Sequence, residues 1–291
     1  MGCMRAALSL LLPVAVALVG CGPKPQQVGG ALREGPPPKI VSLSPSTTEL
    51  IGSAFDTRML VGRTAADNFP SNVTSIPVVA EVKPDFEKIK KAAPGLVIYD
   101  GDLYNDADIK HIESMGITTY AVKAKTIGEF EKELYELGNK LGGETNVSSY
   151  VDRIERERNA AEGAQPTPKP KVALILAGGG NLLVAGTGSF QADVLKTVGG
   201  EPVGPDADRF APMSPEALVA AAPDVIVLGT SKATADKDFA TLKSNPRLAT
   251  IPAIRNGKVT ALNQDEMVRK GGRVDKFIKN LHLAVTFQVQ K

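Results

Sequence analysis

Tryptophan is absent from this chain, and five Tyr and nine Phe are its only aromatics, so a pocket formed by it has few flat surfaces for ring stacking. Cysteine is nearly absent too. Cys3 and Cys21 both stand close to the N-terminus, which excludes a disulfide framework or a thiolate metal site in the rest of the 291 residues. The two histidines, His111 and His282, fall within helical patterns, where a structural or surface role is the plainer reading. No G-x-S-x-G elbow, H-E-x-x-H pair or S-x-x-K motif occurs, so the activated nucleophile or tuned base of a hydrolase or zinc enzyme has no source. G-x-x-x-x-G-K-[ST] is missing, and neither Gly178-Gly179-Gly180 nor Gly186-Thr187-Gly188 extends to G-x-G-x-x-G, which argues against a nucleotide site. One charge sign does not dominate either. The 34 Lys and Arg against 32 Asp and Glu leave +2, too balanced for binding nucleic acid by clustered positive charge.

What the chain does contain is a stretch that occurs twice. Glu87-Lys-Ile-Lys-Lys-Ala-Ala-Pro-Gly-Leu-Val-Ile-Tyr99 aligns without a gap on Glu216-Ala-Leu-Val-Ala-Ala-Ala-Pro-Asp-Val-Ile-Val-Leu228, an offset of 129 positions (216 − 87). Each copy reads as a short helix with a Glu in its first turn, an Ala-Ala-Pro stop and an apolar run suited to a buried strand. Strands apolar on both faces belong to parallel sheets covered by helices. Two such units, about one domain length apart, predict an α/β fold with two Rossmann-like lobes and a ligand between them. A hydrophobic content of 43% and a charged content of 23% suit a soluble chain of that size.

The N-terminal stretch reads as a targeting segment. Arg5 is followed by an apolar run from Ala6 to Leu18, about 13 residues and too short to span a bilayer comfortably. Leu18-Val-Gly-Cys21 resembles a bacterial lipobox, which implies a signal peptide over 1–20, cleavage before Cys21 and lipid attachment there. Residues 21–38, rich in Pro and Gly, read as a tether. The expected body comprises an N-terminal lobe over 39–143, a connecting helix within 144–165 and a C-terminal lobe over 166–291. In the connector, Val147, Tyr150, Val151 and Ile154 recur at helical spacing along one face. A helix of 18–20 residues measures roughly 27–30 Å, which suits a stiff rod and small lobe closure. The pattern after it predicts strands at 172–177 and 258–262, a loop at 263–267 and a last helix over 268–287, on which Arg269 and Arg273 share a face suited to an anionic ligand or to solvent.

Open α/β sheets bind ligands at the C-terminal ends of their strands. The loops expected there nominate Ser44, Pro45, Ser46, Arg63, Asn68, Phe69, Tyr99, Asp100, Tyr104, Gly179, Asn181, Phe210, Asp265 and Arg269 as ligand-cleft residues. The acids between Asp100 and Asp106 fail the EF-hand spacing, since Tyr104, Asn105 and His111 stand where that loop needs other residues, so no metal site is expected.

Lys39-Ile-Val-Ser-Leu-Ser-Pro-Ser-Thr-Thr-Glu-Leu50, the Asp67-Asn-Phe-Pro70 loop, the paired repeats and the rod helix resemble the iron-siderophore, haem and vitamin B12 substrate-binding proteins of ABC importers. The resemblance covers nearly all of residues 39–291. It implies a monomeric, non-enzymatic, lipid-anchored extracytoplasmic receptor whose metal-chelate ligand (a ferric siderophore, corrinoid or haem) lies in the inter-lobe cleft, with no covalently bound cofactor. It further implies docking of Glu87 and Glu216 onto the ABC permease. The lack of Trp weakens cobalamin as the ligand, and the two helical histidines weaken a receptor for a bare transition-metal ion. A secreted lipoprotein enzyme on the same scaffold is the alternative from another class.

Overall fold

The computed structural model describes residues 37–176 and 182–290. Cys21, the signal peptide and the tether up to residue 36 lie outside them, as do Gly179 and Asn181.

The N-terminal lobe contains β1 (Ile40–Ser42), α1 (Pro45–Ala54), β2 (Leu60–Thr64), β3 (Val78–Ala80), α2 (Phe86–Ala92), β4 (Leu96–Asp100), α3 (Asp106–Ser114), β5 (Thr118–Val122) and α4 (Ile127–Leu141). Its strands form a parallel sheet in the order β3-β2-β1-β4-β5. The helix α5 (Glu144–Glu162) then leads to β6 (Lys171–Leu176), β7 (Leu182–Ala185), α6 (Phe190–Thr197), β8 (Glu201–Pro202) and β9 (Phe210–Met213). The chain continues through α7 (Pro215–Ala221), β10 (Val225–Thr230), α8 (Ala235–Ser244), α9 (Pro252–Arg255), β11 (Val259–Asn263), α10 (Gln264–Val268) and α11 (Val274–Gln290). The second sheet runs β11-β10-β6-β7-β9, with β8 beside β6. In it β7 is antiparallel to both its neighbours.

Alternation along the strands divides the core. Ile40, Leu96 and Ile98 of the first sheet and Val172, Leu174, Val225 and Val227 of the second point into one cluster shared with Tyr150, Val151 and Ile154 of α5 and Phe277, Ile278 and Leu281 of α11. Val41 and Val97 face a separate cluster in the first lobe, and Ala173, Ile175, Ile226 and Leu228 face another in the second. Both lobes therefore press their inner faces onto the same two helices. All four positions of the α5 stripe are buried.

The repeated stretch is also a structural repeat. Asp85 caps α2 by accepting from Lys88 N at 3.1 Å, and Ser214 caps α7 by accepting from Ala217 N at 3.1 Å. Ile89 and Leu218, at matching positions, are both fully buried. Each helix ends on an alanine in the left-handed region, Ala93 at φ 46° and Ala222 at φ 47°. That conformation costs a side-chain-bearing residue about 1–2 kcal/mol, partly balanced by the greater freedom that glycine has when unfolded. Ala93→Gly and Ala222→Gly should each raise the unfolding free energy by about 0.5–1 kcal/mol, additively because the sites are remote. Denaturant midpoints of the two single variants and the double variant check this.

The end of the chain departs from the expectation of one helix over 268–287. Residues 264–268 form α10, capped by Asn263 accepting from Glu266 N at 3.1 Å, and α11 starts only at Val274. Arg269 and Arg273 thus sit in the intervening turn, not on a helix face. The cause is contact with α1: a Cβ on Gly271 would fall 2.3 Å from Ser46 O, and one on Gly272 would fall 2.2 Å from Glu49 O. Only glycine lets the two backbones approach so closely.

Candidate ligand-binding cleft

A cavity of about 310 Å³ opens where the strand ends of the two sheets face each other. The N-terminal lobe brings Pro45 and Ser46 from the start of α1, Asp100, Asp102 and Leu103 from the end of β4, and Lys125 from beyond β5. The second lobe brings Leu176 from β6, Phe190 and Gln191 from α6, and Asp208, Arg209 and Phe210 from the approach to β9. Val268, Arg269 and Lys270 close it from the turn before α11. Its walls are largely apolar, with charge at the floor and rim.

The charges are matched across the lobes. Lys270, 5% exposed, places Nζ 2.8 Å from Asp102 Oδ2 and 3.5 Å from Asp100 Oδ1. Lys125 reaches Asp102 at 2.9 Å and Asp208 at 3.2 Å. Burial pushes the Asp100 carboxyl above the ordinary range, and Lys270 only partly offsets it. At Asp102 burial acts in the same direction, but hydrogen bonds from Lys270 and Lys125 outweigh it and hold the carboxyl below its usual value. Burial lowers Lys125, yet its bonds to Asp102 and Asp208 carry it above the ordinary lysine range. These signs follow from competition between desolvation and opposite charge.

Beside the cavity lies a second inter-lobe cluster. Glu49 of α1 is fully buried and receives Arg273 Nε at 2.9 Å, Arg273 Nη2 at 2.7 Å and Arg269 Nη1 at 2.8 Å. Arg269 also donates to Asn68 Oδ1 at 2.6 Å, and Asn68 donates to Asp265 Oδ2 at 3.1 Å. The Phe69 ring carries the Arg273 guanidinium 4.6 Å from its centre. Asp193 of α6 completes the joint by accepting from Ile127 N at the start of α4 at 2.8 Å.

Of the residues nominated from sequence, Pro45, Ser46, Asp100, Phe210 and Arg269 line the cavity. Asn68, Phe69 and Asp265 stand in the neighbouring cluster. Ser44 is the buried N-cap of α1, accepting from Thr47 N at 3.2 Å. Arg63 is spent on backbone carbonyls, donating to Thr64 O at 2.7 Å and Thr74 O at 2.8 Å, which shapes the loop carrying Asn68. Asp67 ties that loop to α1 by accepting from the Thr48 hydroxyl at 2.5 Å. Tyr99 and Tyr104 meet edge-on at 6.2 Å over the outer face of the first sheet, and Tyr104 donates to Leu43 O at 2.6 Å. Asp102, Lys125, Asp208, Arg209 and Lys270 were not nominated. Lys125 just beyond β5 was accessible to the strand-end rule, whereas Lys270 required the break before α11. Among the described residues, no group of three or more His, Cys, Asp or Glu side chains is gathered to hold a metal ion.

Neither repeat glutamate lines the cavity. Glu87 and Glu216 are exposed in the first turns of α2 and α7, and Glu216 pairs with Arg247 through two hydrogen bonds.

Comparison with known proteins follows the same architecture. The profile of the periplasmic binding protein family matches residues 40–266. Over 253 residues the chain is 25% identical to the uncharacterised ABC transporter substrate-binding lipoprotein YvrC of Bacillus subtilis strain 168, covering 84% of this chain and 79% of that one. Over 194 residues it is 28% identical to the vitamin B12-binding protein of Salmonella choleraesuis strain SC-B67, covering 66% and 72%. The apo structure of the periplasmic haem-binding protein RhuT from Roseiflexus sp. RS-1 matches with a TM-score of 0.75 at 24% identity, over 88% of this chain and 100% of that one, a likeness of fold.

Proposed function

This chain belongs to the periplasmic binding protein family, and on that premise we propose that it is the extracytoplasmic receptor of an ABC importer for a metal chelate. It is a binding protein, not an enzyme. The chelate is a ferric siderophore, a corrinoid such as cobalamin, or haem; vitamin B12 and haem are the ligands that the names of its relatives carry. The observation that supports this reading is the cavity between the strand ends of two lobes, apolar in its walls and charged at its floor, which is the form of a small-molecule site. Lipid on Cys21 holds the receptor at the membrane, and the body works as a monomer.

Docking to the permease assigns one role to both repeat copies. Glu87 and Glu216 present exposed carboxylates from the first turns of equivalent helices, and each meets an arginine of the permease. Neither lines the cavity, which separates docking from capture. Glu87→Ala combined with Glu216→Ala should leave ligand affinity within about twofold and reduce uptake to background, since a desolvated interfacial charge pair matters by about 2–5 kcal/mol. Undiminished uptake would overturn the docking assignment. Capture itself is tested by thermal melting of the mature protein with haem, cobinamide, cobalamin and ferric siderophores, because a ligand bound only by the native state raises its apparent stability. No shift with any of them would overturn the proposal.

A further inference from the structure

We infer that Asp102 and Asp208, held in place by Lys125 and Lys270, make the cleft selective for an uncharged chelate whose polar rim consists of amide-type carbonyl and N–H groups, and reject polyanionic chelates. This deepens the receptor reading above and rests on it. Three carboxylates face the cavity, at Asp100, Asp102 and Asp208, against Lys125, Lys270 and Arg209. Arg269, the remaining lining cation, is already claimed by Glu49 at 2.8 Å. The lining is therefore close to electroneutral and internally paired. A polyanionic ligand would have to separate Lys125 and Lys270 from their own acids, leaving Asp100 and Asp102 desolvated beside further negative charge. Like charges brought together in a buried site carry a large penalty, and such repulsion is a common source of selectivity.

An uncharged rim avoids that penalty. Its carbonyls accept from the lysine ammonium groups, its N–H groups donate to the free lone pairs of the aspartates, and no ion pair has to break. Leu176, Phe190, Phe210 and Val268 offer apolar walls to the body of such a molecule. The same lining argues against haem on two counts. Haem carries carboxylates, and its iron is held in proteins by His, Cys, Met or Tyr. None of those residue types is among the described residues lining the cavity. Arg209, at the exposed rim and without an ion pair among the described residues, is left to contact the outer edge of the ligand.

Two sources share this chemistry, hydroxamate siderophores loaded with iron and amide-bearing corrinoids. Titrations monitored by tyrosine fluorescence or calorimetry should be run on the mature protein with a neutral ferric trihydroxamate, cobinamide in its neutral dicyano form, a ferric triscatecholate, ferric citrate and haem. The expected result is saturable binding of the trihydroxamate or of cobinamide, at least about tenfold tighter than any polyanion. The two neutral arms tell which source is used. Asp208→Asn should narrow the preference against the triscatecholate, and Asp102→Asn with Asp208→Asn should narrow it further. The Asp208 side chain is 63% exposed, so its single variant retains the fold even if the double variant does not. Binding of triscatecholate, citrate or haem as tight as the best neutral chelate, or a preference unchanged in Asp208→Asn, overturns the inference and leaves the receptor reading standing. Failure of every chelate to bind overturns both.

Discussion

Replacing Glu49 with Gln is expected to lower the unfolding free energy by about 3–5 kcal/mol, the scale on which removing one member of a buried charge cluster acts. Glu49 has no exposed surface, and two arginines of the opposite lobe bond to it with three short contacts. Arg273 approaches with Nε on one oxygen and Nη2 on the other, the two-pronged geometry that fits a guanidinium to a carboxylate. A Gln amide is nearly the same size but carries no charge, and one of its ends donates where Arg273 or Arg269 also donates. Arg269 keeps Asp265 at 2.9 Å, but the remaining acids do not compensate Arg273, since Asp265 lies 4.0 Å and Glu266 3.8 Å from its guanidinium. The check is denaturant unfolding at neutral pH. Arg273→Gln in the Glu49→Gln background should cost much less than in the wild type, because the two residues act as a unit. Equal costs in both backgrounds would show that the pair is not what joins the lobes.

That cluster illustrates what a linear reading reaches and where it stops. Both repeats, the rod helix and most strands were legible because they depend on local signals: a capping Asp or Ser, an Ala-Pro stop and an apolar run. Glu49 reads in sequence as one more acid in a first helix, and nothing local says that it is buried or which arginines meet it. The Gly271-Gly272 pair was a visible break signal, yet a helical pattern on both sides of it reads as continuous unless the contact with α1 is known. Tyr99 and Tyr104 stand at or beyond a strand end, as a cleft residue should. Which face of the sheet they cover depends on the strand's phase and on the loop that follows, and both rings lie on the outer face. The short strands β3, β8 and β9 and the helix α9 carry too few residues to develop a period. Lys125 and Lys270 acquire their role only from acids brought from elsewhere in the chain, so their charge in sequence is indistinguishable from that of a solvated lysine.

Raising the pH past about 10 should unfold the protein early, and the tyrosines supply the reason. All five are held above the ordinary phenol range, by burial first and by nearby carboxylates second. Tyr104 is pushed up to about 12, and the fully buried Tyr150 lies well above its ordinary value. The native state thus keeps protons that the unfolded chain loses from about pH 10. Stability then falls as pH rises, by at most about 1.4 kcal/mol per pH unit for each buried phenol so held and by less for the exposed Tyr135, where solvent screens the charge. Lys125, also raised in the native state, adds a loss of the same sign. Tyr150 matters most structurally, since its hydroxyl donates to Gly271 O at 2.6 Å and accepts from Val274 N at 3.1 Å, joining the rod helix to the turn that carries both arginines and Lys270. Ionisation removes that donor inside a buried site. Tyr150→Phe should cost about 1–3 kcal/mol at neutral pH by orphaning both backbone groups, and it should flatten the alkaline decline. Unfolding midpoints measured alongside phenolate absorbance across the alkaline range test this. A decline of the same steepness in the variant would remove Tyr150 as its source, while phenols titrating near 10 in the folded protein would remove the mechanism altogether.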